Sequence, residues 1–126
     1  MNKEVIYSPS APEPIGPYSQ AIRSGNMVFV SGQIAIDRAS GTVITGDIAA
    51  ETELVMKNLG AVLSAAGMDF SNVVKCTIFL SSMNDFPIVN GIYGNYFTAA
   101  APARETVEVR RLPKDVNVEI SCIAIA

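Results

Sequence analysis

Hydrophobic and polar positions alternate along this chain with two different periods, and the switches between them outline its elements. Met27 to Ile36 is dense in β-branched and aromatic residues with Gly32 in mid-run, which predicts a strand carrying a bulge or a close approach to its backbone. Between Asp47 and Ala66, apolar residues recur at Ile48, Val55, Leu59, Val62, Leu63 and Ala66. That is the spacing of one helical face, with Asp47 as N-cap and Gly67 as the C′ residue. Val73 to Leu80 reads as a strand. Asn84-Asp85-Phe86-Pro87 looks like a capped helix start with an early proline, and Val89, Ile92, Tyr93, Tyr96 and Phe97 continue the helical period. Two further strands are expected near Arg104–Arg111 and Asn117–Ile125, paired as a hairpin through Leu112–Val116. Glu4–Tyr7 is too short for its pattern to decide, and Ser8–Pro17, with four prolines, is irregular. Ser40-Gly41 turns the chain.

The resulting order, β, β, α, β, α, β, β, predicts a single α+β domain over residues 1–126, with two helices covering one face of a mixed sheet. The other face then needs a cover, most simply another copy of the chain. Composition points the same way: 49% of the 126 residues are hydrophobic and only 17% charged, a surplus of apolar surface for so short a chain. A net charge of −3 is a poor match for a polyanion, so nucleic acid is not an expected partner. Lys57, Asn58 and Ser64 interrupt the longest apolar region, Leu54 to Met68, so no membrane span is expected. The opening residues lack the apolar stretch of an export signal, and the expected location is the cytoplasm. Cys76 and Cys122 stand in strand-like segments with no CxxC, the pattern of buried small hydrophobes rather than of a metal or redox site.

The chain has no histidine, which removes the Ser-His-Asp triad and the commonest base and metal ligand. Gly91 and Gly94 lie inside a helical pattern, where close helix packing is the expected reason for them. What remains for chemistry is arginine, carboxylates, hydroxyls and backbone amides. Alternation places Arg104, Thr106, Glu108 and Arg110 on one face of their strand, with Val107 and Val109 expected on the core face. In the last strand Val118, Ile120, Cys122 and Ala124 form the core face, which puts Glu119 on the same non-helix face as Arg104 but, in the expected hairpin, four or five positions or roughly 13 to 17 Å away, so that a small ligand needs the two from different copies. A cation and an anion in a partly desolvated interface are costly unless paired or functional. The commoner meaning of such a pair is an interface salt bridge. Arg110, Arg111 and Lys114 read as a solvated edge, Tyr18 as a loop anchor, Ser31 as a strand serine and Asn90 as a solvent-facing helix residue.

Taken together, the segments Ile15-Gly-Pro-Tyr-Ser-Gln-Ala21, Val30-Ser-Gly-Gln-Ile34, Ala65-Ala-Gly67, Asn84-Asp-Phe86, Val89-Asn90, Pro102-Ala-Arg104, Leu112-Pro-Lys-Asp115 and Val118-Glu-Ile120 resemble the RidA/YjgF family of imine deaminases. The resemblance implies a chorismate-mutase-like homotrimer with clefts between subunits. It implies hydrolysis of the enamine or imine products of amino-acid dehydratases to 2-keto acids and ammonia, with no cofactor and no metal. Arg104 matches the arginine that grips the substrate carboxylate. Glu119 matches the glutamate that orients or activates water. Tyr18 and Ser31 match residues lining the cleft, Gly32 a close backbone approach, and Asn90 and Thr106 further cleft positions. The chain departs from the family pattern at Thr106, where cysteine is frequent, at Glu105, where a small residue is usual, and in the short Thr98–Ala101 connection. Two other readings compete: a non-catalytic, small-carboxylate-binding regulatory trimer, and RNA cleavage, against which the acidic balance and absent histidine count.

Overall fold

Period-two burial divides the sheet into an inner and an outer face. In the computed structural model, which describes residues 2–126, the elements are β1 (Glu4–Ile6), β2 (Ala21–Ser24), β3 (Met27–Gln33), α1 (Ile48–Ala65), β4 (Val73–Leu80), α2 (Phe86–Gly94), β5 (Ala103–Glu108) and β6 (Val118–Ile125). The strands form one six-stranded mixed sheet in the order β1-β2-β3-β6-β4-β5. Val118, Ile120, Cys122 and Ala124 of β6 and Cys76, Ile78 and Leu80 of β4 point inward, as do Val28 and Val30 of β3. They meet Val55, Met56, Leu59, Val62 and Leu63 of α1 and Val89 and Tyr93 of α2.

Helix α1 begins and ends as its sequence predicts. Asp47 is extended and its side chain accepts from the Ala49 amide at 2.9 Å, while Gly67, with φ of 75°, takes the left-handed position after the C-cap. The start of α2 differs from expectation. Ser82, not Asn84 or Asp85, supplies the cap, and it caps a 3₁₀ turn at Met83–Asp85 that leads into the helix at Phe86. The helix closes at Gly94, so Tyr96 and Phe97 follow it and pack their rings on Phe70. An added Cβ at Gly91 or Gly94 would meet nothing, so close packing within the chain is not the reason for these glycines.

Two features of the sheet correct the pattern reading. The first is β2, which the pattern missed: it forms a tight hairpin with β3 through Gly25-Asn26, with Gly25 at φ of 61°. The second is the end of the chain, where β5 and β6 do not pair. The crossover β4-α2-β5 makes β5 parallel to β4 at the sheet edge, whereas β6 enters between β3 and β4, antiparallel to both. The connection between them passes over the end of β4, where the Val109 amide donates to the Leu80 carbonyl and the Ser81 amide to the Asn117 carbonyl.

This topology overturns the expected face of Arg104. Arg104 pairs with the inward Cys76, and Val107 pairs with Phe79 opposite Glu119, so in β5 the arginine and Thr106 face the helix layer and the valine faces out. Hydrophobic matching failed because β5 is an edge strand whose inward Arg104 is accommodated by the aromatic rings and Asn90 of α2. Val107 there is 40% exposed and Arg104 half-buried. The outer face carries Phe29, Ile123, Val107 and Phe79 around the Lys75–Glu105 ion pair, with Phe79 packed at one end on a small second cluster of Ile34, Leu112 and Val116.

Candidate functional site

Tyr18, Ser31, Gly32 and Glu119 are brought together, and Arg104, Asn90 and Thr106 are brought together, in two separate places. The first group lines a cleft of about 350 Å³ whose walls are Pro12, Pro14, Ile15, Ile34 and Pro113. Glu119 reaches this cleft from the outward row of β6, beside the irregularity in β3 between Val30 and Gln33. The bulge turns Ser31 so that its amide donates to Gln20 O and its hydroxyl to Ser19 O at 2.7 Å, tying the strand to the Pro-rich segment. Gly32 has a definite steric reason: a Cβ there would lie 2.0 Å from Glu119 Oε2. The carboxylate occupies the space that a side chain would need. Burial in this largely apolar cleft pushes the Glu119 carboxyl above the ordinary glutamate range. Tyr18 stands at the mouth, its hydroxyl accepting from the Ile15 amide at 3.2 Å.

The second group lies on the inner face at the β5 edge. The Arg104 guanidinium sits 4.9 Å from the Tyr93 ring centre and 5.6 Å from that of Phe86, while Nη1 donates to Asn90 Oδ1 at 2.8 Å. Aromatic faces and one hydrogen bond hold the fork in place and leave other donors for a carboxylate. Thr106 Oγ1 and Tyr93 Oη are both buried without a protein partner, a state that favours a bound water or ligand polar atom. Burial, reinforced by Cys76, raises the Tyr93 phenol far above its normal value. Cys76 and Cys122 face each other across β4 and β6 as free thiols; burial raises the first and pushes the second up to about 12, so neither is a ready nucleophile.

Within one chain the two groups cannot serve the same small molecule. Glu119 and Arg104 lie on opposite faces, two strands and three residues apart, or roughly 14 Å between Cα atoms at ordinary strand spacing and rise. Among the described residues no three His, Cys, Asp or Glu side chains stand where they could share a metal ion. Arg110, Arg111 and Lys114 are exposed, with Arg111 paired to Asp115 at 2.6 Å.

Sequence reasoning missed three participants. Glu51 is fully buried, and its carboxylate accepts from the Asn117 amide at 2.7 Å, the Asn117 side chain at 2.9 Å and the Val118 amide at 3.1 Å, fixing the start of β6. Its signal was present: Glu51, Thr52 and Asn58 fall on the apolar face of the α1 period, and all three are buried. The Phe86–Tyr93 cradle and the buried Gln20 had no such mark.

A six-stranded mixed sheet with two helices on one face, carrying a partly buried carboxylate in a cleft and a guanidinium stacked on aromatic rings, defines a histidine-free α+β class. The family described as Endoribonuclease L-PSP matches residues 8–126, and the chain belongs to it, as its resemblance to RidA/YjgF proteins implied. A RutC family protein of Pyrococcus horikoshii is 52% identical over 97% of this chain and 97% of its own. The 2-iminobutanoate/2-iminopropanoate deaminase of Mus musculus is 46% identical over 98% of this chain and 91% of its own. The crystal structure of E. coli TdcF with bound serine superposes with a TM-score of 0.94 at 38% identity, covering 98% of each chain.

Proposed function

We propose that this chain is a cofactor-independent deaminase that hydrolyses 2-aminoacrylate/2-iminopropanoate and 2-iminobutanoate to 2-keto acids and ammonia, as a homotrimer in the reducing cytoplasm. The observation that carries the reading is the Glu119 carboxylate seated against Gly32 in an apolar cleft, with its pKa raised by burial. A protonated imine is already electrophilic, so the protein has to bind it, orient it and place a water. Arg104 takes the substrate carboxylate in its fork. Glu119 accepts a proton from water as the oxygen bonds to the imine carbon and the C=N π pair moves to nitrogen; it returns that proton to nitrogen, then takes the hydroxyl proton as the C–N bond breaks, the keto group forms and ammonia leaves. The names of relatives support this reading, the murine deaminase among them. The two half-sites meet only if a second copy lays its cleft against the first copy's Arg104, and the uncovered apolar outer face gives such packing a driving force.

A dehydratase generating 2-aminoacrylate or 2-iminobutanoate in situ tests the proposal. Faster ammonia release on adding the chain is the expected result; an unchanged rate would sink it. The second reading, a non-catalytic carboxylate-binding trimer, draws support from the serine bound to TdcF and from an Arg104 cradle that is complete without Glu119. Saturable 2-keto acid binding without turnover would decide for it.

A further inference from the structure

The cleft has one wall without regular secondary structure. Pro12, Pro14, Ile15 and Tyr18 belong to a segment with many prolines and few backbone hydrogen bonds, so something else must fix its course. Two side chains from outside that wall do so. Gln20 is 2% exposed, and its carboxamide reads the backbone of Ser8 to Pro12. Oε1 accepts from the Ser8 amide at 2.6 Å, and Nε2 donates to Ser8 O at 3.1 Å and Pro12 O at 2.9 Å. From the side, Arg38 donates through Nη1 to Ala11 O at 2.6 Å and through Nη2 to Glu13 Oε1 and Tyr7 Oη, each at 2.9 Å.

We propose that Gln20 is a positioning residue, with Arg38 as its outer counterpart: together they hold the Ser8–Tyr18 segment in the course that shapes the cleft, and so set ligand affinity without touching ligand. Both amide protons of Gln20 are engaged by backbone carbonyls, so no donor of this side chain is left for a ligand even though it backs the cleft. The wall and the Glu119 seat are joined, because Ser31 donates to both Gln20 O and Ser19 O one residue before Gly32. Loosening the segment moves Tyr18 and Ile15 but leaves Glu119 on β6. Binding should weaken while the chemical step survives.

The inference rests on the deaminase reading for its kinetic arm only. Gln20→Met keeps the shape and removes the side chain's hydrogen bonds, and Arg38→Met removes those of a side chain that is partly exposed rather than buried. In the intact chain, Gln20→Met should weaken 2-oxobutanoate binding and raise KM by about tenfold while kcat moves less than about threefold, with Arg38→Met a few-fold weaker in the same direction. Amide hydrogen exchange should quicken across residues 8–18 and stay slow in α1 and β4. Two outcomes would overturn the proposal: unchanged exchange over 8–18, or a loosened segment with binding intact. Ligand binding without ammonia release by the unsubstituted chain would end the deaminase reading alone, since the binding ratio and the exchange pattern still decide this one.

Discussion

Arg104 and Glu119 are held by opposite means, and their substitutions should fail differently. The guanidinium is stacked on Tyr93 and Phe86 and hydrogen-bonded to Asn90, so its direction is set before any ligand arrives. A hydrogen bond to a charged group contributes about 1.5 to 3 kcal/mol, so Arg104→Ala should lower kcat/KM by about ten- to a hundredfold or more with little change in unfolding. Arg104→Lys should be impaired too, because an ammonium cannot reproduce the planar fork. Near-normal kcat/KM in both variants would move the carboxylate site elsewhere. Glu119 is held by desolvation, which carries a signed consequence. Because the folded pKa lies above the ordinary 4.5, the favourable contribution to stability belongs to the protonated form and is lost as pH rises through the folded value. Glu119→Gln should therefore raise Tm at pH 7 and give no gain near pH 4, while keeping 2-keto acid binding and losing rate. The same ionisation should appear as an acidic limb of kcat/KM placed above the ordinary glutamate value and absent from the variant. Equal Tm differences at both pH values would refute the assignment.

At the scale of elements, the local pattern carried far and the long-range pairing did not. Asp47, Gly67 and the bounds of β4 were legible because capping and alternation are local, and the glycine in β3 pointed to a bulge or a close approach, of which the structure has both. What approaches it, however, comes from β6, 87 positions away in number from 32 to 119, and nothing in the spacing reports that. The hairpin expected between the last two strands was wrong for a related reason. A strand-helix-strand crossover from β4 through α2 had to make β5 parallel to β4, which left the gap between β3 and β4 for β6. Glu51 bolts this late strand to the first turn of α1. Glu51→Ala would strand the Asn117 and Val118 amides in the interior and should cost about 3 kcal/mol or more, read as a lowered denaturant midpoint at fixed protein concentration. A loss below about 1 kcal/mol would mean that water replaces the carboxylate. Gly32→Ala tests the other late contact. It should evict Glu119 and move the acidic limb of kcat/KM toward the ordinary glutamate value, whereas a glycine needed only for ligand approach would raise KM and leave the limb in place.

For the whole molecule, the decisive relation is that one chain presents the Glu119 cleft and the Arg104 cradle on opposite faces of one sheet. The sequence put Glu119 and Arg104 on one face, four or five positions apart and already too distant for one small acid; the structure puts them on opposite faces, two strands apart, which adds the thickness of the sheet to that separation. A closed ring of copies is the simplest way to give every cleft an arginine, because a heterologous contact repeated around a threefold axis uses each half-site once. Co-refolding the Arg104→Ala chain with the Glu119→Ala chain tests this directly, since each alone supplies no intact pair. In each mixed trimer one cleft has its Glu119 from the first variant and its Arg104 from the second, which should restore about a third of the unsubstituted rate per mixed trimer and about a quarter over the whole mixture refolded from equal amounts. Ammonia release measured on mixed trimers, verified by tagging one variant and purifying through the tag, reads the outcome. Mixed trimers that stay as inactive as their parents would show that each site draws Arg104 and Glu119 from one chain, and that this chain must then bend its edge strand around the sheet to do so.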